Sequence, residues 1–457
     1  MTVEYTYCRP KKVQVVTLGC SKNRVDSEHL MRKLEDAGVE LVPENNDLLE
    51  NRVDAVIINT CGFIKDAKVE SIEAIMAAVD AKEQGCADYL FVFGCLSQRY
   101  MDELVAEIPE VDGFFGAFDT ASILEVMGIM NKSDLNEQRY LTTPKHYAYL
   151  KISEGCDRTC SYCAIPMIRG KHISVPMEKL VKETEYLAAK GVKELIVIAQ
   201  DTTYYGLDLY GRRALGELLQ RLCAIEGIEW IRIHYSYPAQ FPQDVLDVMA
   251  SNPKVCKYLD IPLQHASSKL LSAMRRSIDG PQTQKIIDDI RSKVPGVVLR
   301  TTMIVGHPGE DRREFEKLLA FVEKNRFERL GAFTYSEEEG TYGAQNLKDT
   351  VRESTKQKRY EELMELQSSI SLAYNESRIG SIEKVIIDSY SDGVFVTRSQ
   401  QESPEVDGEI LVGKESLVAL TGGKSDFDPC SLIGTFAKVK IVGANEYDLI
   451  AEFCGQD

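Results

Sequence analysis

Glu154-Gly155-Cys156-Asp157-Arg158-Thr159-Cys160-Ser161-Tyr162-Cys163 is the stretch that decides the fold of this chain. Three cysteines fall in the pattern C-x3-C-x2-C, directly after the run Tyr149–Ile152, which reads as a strand. Three thiolates on one loop can hold three irons of a [4Fe–4S] cluster. The fourth iron then has no protein ligand, and an open position is what a catalytic metal needs and a structural one avoids. Two plainer readings stand beside this one: a zinc site, and a CxxC redox pair made by Cys160 and Cys163. Zinc sites usually close with four ligands, and no fourth Cys or His lies nearby in a matching pattern.

Toward the C-terminus the triplet opens a βα series. Expected strands are Tyr149–Ile152, Glu194–Ala199, Trp230–Ile233, Leu259–Leu263, Val297–Ile304 and Leu330–Phe333, with helices such as Met177–Lys190, Leu215–Ile225 and Arg312–Lys324 between them. Six βα steps fit an open, partial TIM-like barrel, whose chemistry sits at the carboxyl ends of its strands. Gln200, Asp201 and Thr202 follow one such strand, and Gln264 and His265 follow another. A packed, hydrogen-bonded His265 and a contacting one are equally compatible with the sequence. Gly306, Pro308 and Gly309 follow a third strand and are expected to let the backbone approach a cofactor, although Gly-x-Pro-Gly lacks the full phosphate-loop fingerprint. Val351–Asn375 reads as one long amphipathic helix.

Toward the N-terminus one pattern repeats three times. The apolar runs Val13–Leu18, Ala55–Ile58 and Leu90–Phe93 end close to Cys20, Cys61 and Cys95, and helices are expected at Arg24–Ala37, Lys65–Glu83 and Arg99–Ile108. Alternating strands and helices imply a parallel sheet, and ligands of open α/β sheets sit outside the strands' carboxyl ends. The spacings of 41 and 34 residues form no local motif; the fold has to bring these cysteines together. They read as a second three-cysteine cluster site, against the plain alternative of three small buried hydrophobes. Cys8, Cys86, Cys223, Cys256, Cys430 and Cys454 share no such context and read as structural or incidental.

Past Gly380 the text turns into short β-rich runs broken by Gly, Asp and Ser: Val385–Ile387, Val394–Thr397, Glu409–Val412, Leu417–Leu420 and Ala437–Val442. A small antiparallel barrel of about five strands is expected. The whole is an α/β chain: an N-terminal open parallel sheet domain over 1–128, a polar linker over 129–144, a partial (β/α)6 barrel over 145–378 and a small β-barrel over 379–457. A length of 457 residues suits about three domains.

Composition narrows the function classes. There are 54 Lys and Arg against 71 Asp and Glu, a net charge of −17, which disfavours bulk nucleic-acid binding. No run approaches the ~18 apolar residues of a membrane span, and the polar start Met1–Lys12 has no signal-peptide core, so a cytoplasmic protein without membrane association is expected. Twelve cysteines in a reducing compartment point to metal or redox chemistry rather than disulfides. The basic runs Arg275-Arg276 and Lys356–Arg359 read as solvated helix faces.

The motifs together resemble the radical S-adenosylmethionine methylthiotransferases. Thr17-Leu18-Gly19-Cys20-Ser21-Lys22-Asn23-Arg24-Val25-Asp26-Ser27-Glu28 is similar to that family's opening; Asn59-Thr60-Cys61-Gly62-Phe63, Phe93-Gly94-Cys95-Leu96 and Ala164-Ile165-Pro166-Met167-Ile168-Arg169-Gly170 match as well. Lys22-Asn23, Gln200-Asp201-Thr202-Thr203, Pro262-Leu263-Gln264-His265 and Phe333-Thr334-Tyr335-Ser336 resemble the branch acting on an aspartate of small-subunit ribosomal protein twelve. The tRNA-modifying branch more typically has Gln-Met-Asn after the first Gly-Cys. Val175, where the family often has Arg, and His307, where Phe is usual, depart from the pattern.

The resemblance implies two [4Fe–4S] clusters, on Cys20/Cys61/Cys95 and on Cys156/Cys160/Cys163, with S-adenosylmethionine at the second. It places Tyr162, Gln200, Thr202, Gln264, Gly306, Pro308 and Gly309 around that cofactor, with no catalytic residue beyond the cluster ligands. One S-adenosylmethionine would methylate a sulfur on the N-terminal cluster. Another would be cleaved to a radical that removes hydrogen from the aspartate β-carbon. Implied partners are the ribosomal protein, free or in the ribosome, and an external flavodoxin or ferredoxin; nucleic acid is not expected as the substrate. The rivals are a tRNA methylthiotransferase, an iron–sulfur electron carrier and an RNA-binding module. A carrier's cluster would usually have four cysteines. Ser381–Asp457 holds six basic and fourteen acidic residues, a net of −8, a field that repels phosphate and attracts a basic ribosomal protein. Glu402, Glu405, Asp407 and Glu409 are therefore expected to form its docking face.

Overall fold

A computed structural model describes residues 7–44, 48–49, 51–420 and 428–456. The first residues of the polar start, and Lys424, Asp426 and Asp457 of the C-terminal charge count, lie outside the described residues.

The N-terminal sheet has five parallel strands in the order Glu40–Val42, Lys12–Thr17, Val53–Thr60, Ala87–Gly94, Gly113–Phe114. Its central strands are apolar on both faces because both are covered. Val13, Val15, Ala55, Ile57, Phe91 and Phe93 pack with Leu30 and Leu34 of the helix Ser21–Asp36. Val56, Ile58, Leu90 and Val92 pack with Ile75, Ala78 and Val79 of the helix Lys65–Glu83. The winding reverses between Lys12–Thr17 and Val53–Thr60, the switch point at which such sheets bind ligands. Register puts Thr17 beside Asn59 and Asn59 beside Phe93. The three strands thus end together, at Thr17, Thr60 and Gly94, one to three residues before Cys61, Cys95 and Cys20.

The central unit has six parallel strands in the order Arg329–Thr334, Val298–Val305, Val255–Asp260, Trp230–Ile233, Glu194–Ile198, Tyr147–Lys151. Helices Met177–Ala189, Leu215–Cys223, Gln243–Ser251, Gly280–Lys293 and Arg312–Asn325 alternate with them, and one continuous core joins helices to strands. The segment between the first two units is no loose tether. Arg139 is fully buried and ion-paired to Glu28 of the first unit and, at 3.1 Å, to Glu183 of the second.

The C-terminal unit is a closed barrel of Ile382–Ser391, Val394–Arg398, Ile410–Gly413, Leu449–Gln456 and Phe436–Ala444. The expected strand Leu417–Leu420 is instead part of a helix, Lys414–Leu420; an apolar run this short does not distinguish the two by periodicity. The fifth strand is Leu449–Gln456, in which Leu449, Ala451 and Phe453 point inward.

The acidic loop between Arg398 and Ile410 corrects the docking-face expectation. Together with Arg398, which opens it, the loop lies on the inner face of the six-stranded sheet and meets every strand. Tyr147 and Tyr149 donate hydroxyl hydrogen bonds to Glu405 at 3.1 and 2.8 Å. Arg398 pairs with Glu194 at 2.8 Å. Arg232 donates to Gln400 O at 2.8 Å, Tyr258 donates to Asp407 at 2.7 Å, and Arg300 and Arg329 pair with Asp407 and Glu402. Glu405 also reaches Arg24 of the N-terminal unit at 2.7 Å. An open half-barrel leaves its inner face uncovered, and these carboxylates serve to cover it; Glu409 alone of the four stays clear of this join. No helix among the described residues is long and apolar enough to cross a membrane.

Candidate cofactor and active site

The C-x3-C-x2-C loop leaves the strand Tyr147–Lys151 through the short strand Ser153–Glu154. Backbone bonds fix its shape: Cys156 N–H donates to Gly170 O at 3.1 Å, Cys163 N–H to Cys160 O at 3.1 Å, and Ser161 N–H to Met274 O at 2.9 Å. Burial, and the neighbouring Cys160 thiol, push the Cys156 and Cys163 thiols up to about 12. The three half-buried cysteines share one loop, and a bound cation would be needed to hold Cys156 and Cys163 as thiolates. Among the described residues no three His, Cys, Asp or Glu side chains are arranged to hold a single ion. A cluster makes no such demand, because each thiolate takes its own iron; the donor set fits a cluster.

Two guanidiniums flank this pocket, and sequence reading assigned neither to it. Arg276 lies 3.8 Å from Cys160 Sγ and 3.5 Å from the Tyr162 hydroxyl, and donates to Pro262 O at 2.6 Å. Arg158 pairs with Asp201 at 2.9 Å. Both stack on Tyr237, at 4.1 and 4.0 Å from its ring centre. Arg276 is therefore buried at the site and not on a solvated helix face, whereas Arg275 is exposed. Only its place beside a turn of the helix series signals this, since the sequence does not say which of two adjacent arginines points inward.

The second set converges as the register requires. Cys20 is the N-cap of Ser21–Asp36 and Cys95 the first residue of Cys95–Glu107, positions where a helix N-terminus favours a thiolate. Gly19 lies so close to Cys61 that a Cβ added there would stand 2.9 Å from its Sγ. Burial pushes the Cys61 thiol up to about 11, with the Cys20 and Cys95 thiols adding to the rise. Asn23, fully buried, ties the strand ends together by donating to Leu18 O at 2.9 Å and Thr60 O at 3.0 Å.

One side chain joins the two sets. Arg169, on the short helix Ile165–Arg169 after the triplet, donates to Cys95 Sγ at 3.2 Å and to Asn23 Oδ1 at 2.5 Å. It pairs with Asp26 at 2.9 Å and Glu154 at 3.2 Å. Lys151 pairs with the same two carboxylates. The Asp26 carboxyl is half-buried, and the Lys151 and Arg169 charges hold it below the usual range. Gln200 donates to Glu154 at 2.7 Å, which leaves its own Oε1 buried and unbonded.

The remaining mouth residues divide. Tyr162 is half-buried beside Arg276. Gln264, at φ 72°, keeps a buried Oε1 without a partner. Thr202 spends its hydroxyl on His234 O at 3.0 Å. His265 is packed: Nδ1 accepts from Ser267 N–H at 3.0 Å and Nε2 lies 3.3 Å from Glu310. Gly306 is not a gap left for a ligand. Its missing side chain makes room for Lys356, which is buried and donates to Tyr335 O at 3.0 Å. Lys356 and Arg359, the latter paired with Glu310 at 2.8 Å, thereby leave the solvated face expected of them. Pro308 O accepts from His307, and Gly309, at φ 88°, borders open space.

Residues 150–322 match the Radical SAM superfamily, 12–116 the Uncharacterized protein family UPF0004 and 379–454 the TRAM domain. The Ribosomal protein uS12 methylthiotransferase RimO of Cytophaga hutchinsonii is 51% identical over 441 residues, 96% of this chain and 97% of that protein. The protein of the same name from Porphyromonas gingivalis is 50% identical over 443 residues, 97% of this chain and 99% of that one. The chain belongs to the RimO methylthiotransferases. Among solved structures, the radical S-adenosylmethionine methyltransferase TsrM from Kitasatospora setae is similar in fold, with a TM-score of 0.53 at 14% identity over 87% of this chain and 81% of that one.

As a radical SAM protein of the RimO family, the chain takes S-adenosylmethionine and a [4Fe–4S] cluster. Its two departures from the usual sequence have structural places. Val175 carries its backbone into the loop's base, donating to Ile152 O at 2.9 Å and accepting from the Tyr205 hydroxyl at 2.7 Å. His307 Nε2 lies 3.3 Å from Ser161 Oγ, and Nδ1 lies 3.0 Å from Pro308 O. His307 thus forms a polar clasp between the Gly306–Gly309 loop and the cysteine loop.

Proposed function

We propose that this chain inserts a methylthio group at the β-carbon of an aspartate in ribosomal protein uS12, with two [4Fe–4S] clusters and S-adenosylmethionine. In this reading Cys156, Cys160 and Cys163 hold the cluster that meets S-adenosylmethionine, and Cys20, Cys61 and Cys95 hold the second. The observation that carries it is the join at Arg169, a residue of the triplet loop that touches Cys95 of the other set. An unactivated C–H bond is too weak an acid for a general base at neutral pH, so the reaction calls for a radical cofactor. Loaded in this way, the site supplies hydrogen abstraction and sulfur delivery, the two halves of replacing C–H by C–S–CH3.

The chain's own residues do the positioning. Asp26, Lys151, Glu154 and Arg169 fix one cysteine set against the other in a half-buried ion network. Arg158, Arg276 and Tyr237 wall the S-adenosylmethionine side, with Tyr162, Gln200 and Gln264 contributing polar atoms. Units 1–128 and 145–378, joined by 129–144, each bring one cluster, and 379–457 closes the inner face. The electron comes from a flavodoxin- or ferredoxin-type partner, and the work is done in the cytoplasm. The net charge of −17 and the likeness to RimO over nearly the whole chain favour the ribosomal protein over a tRNA adenosine.

The test is mass spectrometry of ribosomal proteins and tRNA from cells lacking the enzyme. Loss of the methylthio group from the protein is expected; loss from tRNA alone sinks the reading. In anaerobically reconstituted protein, Cys160→Ala should abolish 5′-deoxyadenosine release. Cys61→Ala should retain that release and form no methylthiolated product.

A further inference from the structure

Lys22 is a buried cation without an anion. It is the second residue of the helix Ser21–Asp36, two positions after Cys20, and is 8% exposed. Its Nζ stands 3.0 Å from the ring centre of Tyr235, at the carboxyl end of the strand Trp230–Ile233. Among the described residues it makes no hydrogen bond or ion pair. The carboxylates in this region are already taken: Asp26 by Lys151 and Arg169, Glu154 by the same two, Glu405 by Arg24, Asp260 by Arg300.

Two physical costs meet at this ammonium. Burial without a partner is costly. A cation in a helix's first turn opposes the macrodipole. The cation–π contact returns only part of this. The platform beneath it is fixed nonetheless: Tyr235, at φ 58°, donates its N–H to Asp260 at 3.0 Å and accepts from Thr202 N–H at 3.1 Å. Next in the chain, the Ser21 hydroxyl is buried and also lacks a partner. The unanswered ammonium, two residues after Cys20 in the chain, is the cationic half of a carboxylate site.

We propose that Lys22 receives the side-chain carboxylate of the substrate aspartate, making it the residue that selects aspartate over a neutral side chain. This rests on the aspartate reading above. The carboxylate is one bond from the β-carbon, so gripping it fixes the reacting atom. A lysine suits the task, since it offers a point charge on a stem that the Tyr235 ring holds in place.

The experiment measures fluorescence anisotropy of two labelled fragments of the ribosomal protein, one with the target Asp and one with Asn there. They bind to anaerobically reconstituted holoenzyme containing S-adenosylmethionine. Wild type should prefer the Asp fragment by about tenfold or more. Lys22→Met should bring the two affinities together, and Lys22→Arg should keep most of the preference. Lys22→Gln, also uncharged, reads the same ratio if the Met variant does not fold. A preference retained in the uncharged variants overturns the proposal, as does its absence in wild type. Weakened S-adenosylmethionine binding with the preference intact also overturns it, because the carboxylate served is then the cofactor's own. If wild type binds neither fragment but still binds S-adenosylmethionine, the aspartate reading fails and the proposal falls with it.

Discussion

Arg169 Nε lies 3.2 Å from Cys95 Sγ, so a cation from the loop of one cysteine triplet touches a thiol of the other. A hydrogen bond from a cation to a cluster sulfur favours the reduced, more negative state. If Cys20, Cys61 and Cys95 hold a cluster as proposed, Arg169→Met should therefore lower its potential. A charged hydrogen bond of ~1.5–3 kcal/mol corresponds to roughly 60–130 mV for one electron. A redox titration followed by electron paramagnetic resonance checks this, with a smaller change expected at the Cys156/Cys160/Cys163 cluster.

Gly306 and Gly309 share a left-handed backbone, at φ 77° and 88°, but not their surroundings. A methyl at Gly306 collides with the Lys356 chain, whereas one at Gly309 meets open space. Gly306→Ala should cost about 2–3 kcal/mol of stability and Gly309→Ala about 1 kcal/mol. Urea unfolding of the two variants measures the difference; equal costs would mean that Lys356 yields freely.

His307 gives a pH signature. Burial holds its imidazole down to about 4, against an ordinary 6.5. The unfolded chain therefore binds the proton more readily than the folded one. The stability of the neutral ring is complete above about pH 6.5 and is lost as pH falls toward 4, by at most about 3 kcal/mol. His307→Phe should flatten the stability profile across that window. A profile as steep as that of wild type would place the titration at another group.

What the sequence made legible was local: strands, their ends, and the residues just past them. Cys20, Cys61 and Cys95 could be placed on one sheet edge because alternation and the carboxyl-end rule need no knowledge of partners. Leu417–Leu420 misled because four apolar residues carry no period, and Leu449–Gln456 was missed although its inward residues alternate. The larger failure concerned charge. Glu402, Glu405 and Asp407 looked like a surface because composition counts acids without their partners. Those partners, Arg378, Arg329, Arg24 and Arg300, come from distant parts of the chain. Arg276 and Lys356 were misjudged for the same reason, since burial of a long cation is a tertiary fact.

Glu402 is 1% exposed and sits between Arg378 and Arg329. Despite burial, those charges and the Ser399 hydroxyl hold its carboxyl at about 2, below the ordinary 4.5. A depressed carboxyl contributes stability that is complete above pH 4.5 and is lost as pH falls through about 2, about 3 kcal/mol in all. Glu402→Ala leaves two buried guanidiniums unanswered and should cost about 3–5 kcal/mol near neutrality. The gap to wild type should shrink as pH falls below 4.5. Because the loop is the plug of the half-barrel, the variant should also expose the segment 399–407 to limited proteolysis. A docking face would behave differently: Glu402→Ala would leave stability and proteolysis as they are and weaken only the binding of the basic protein partner.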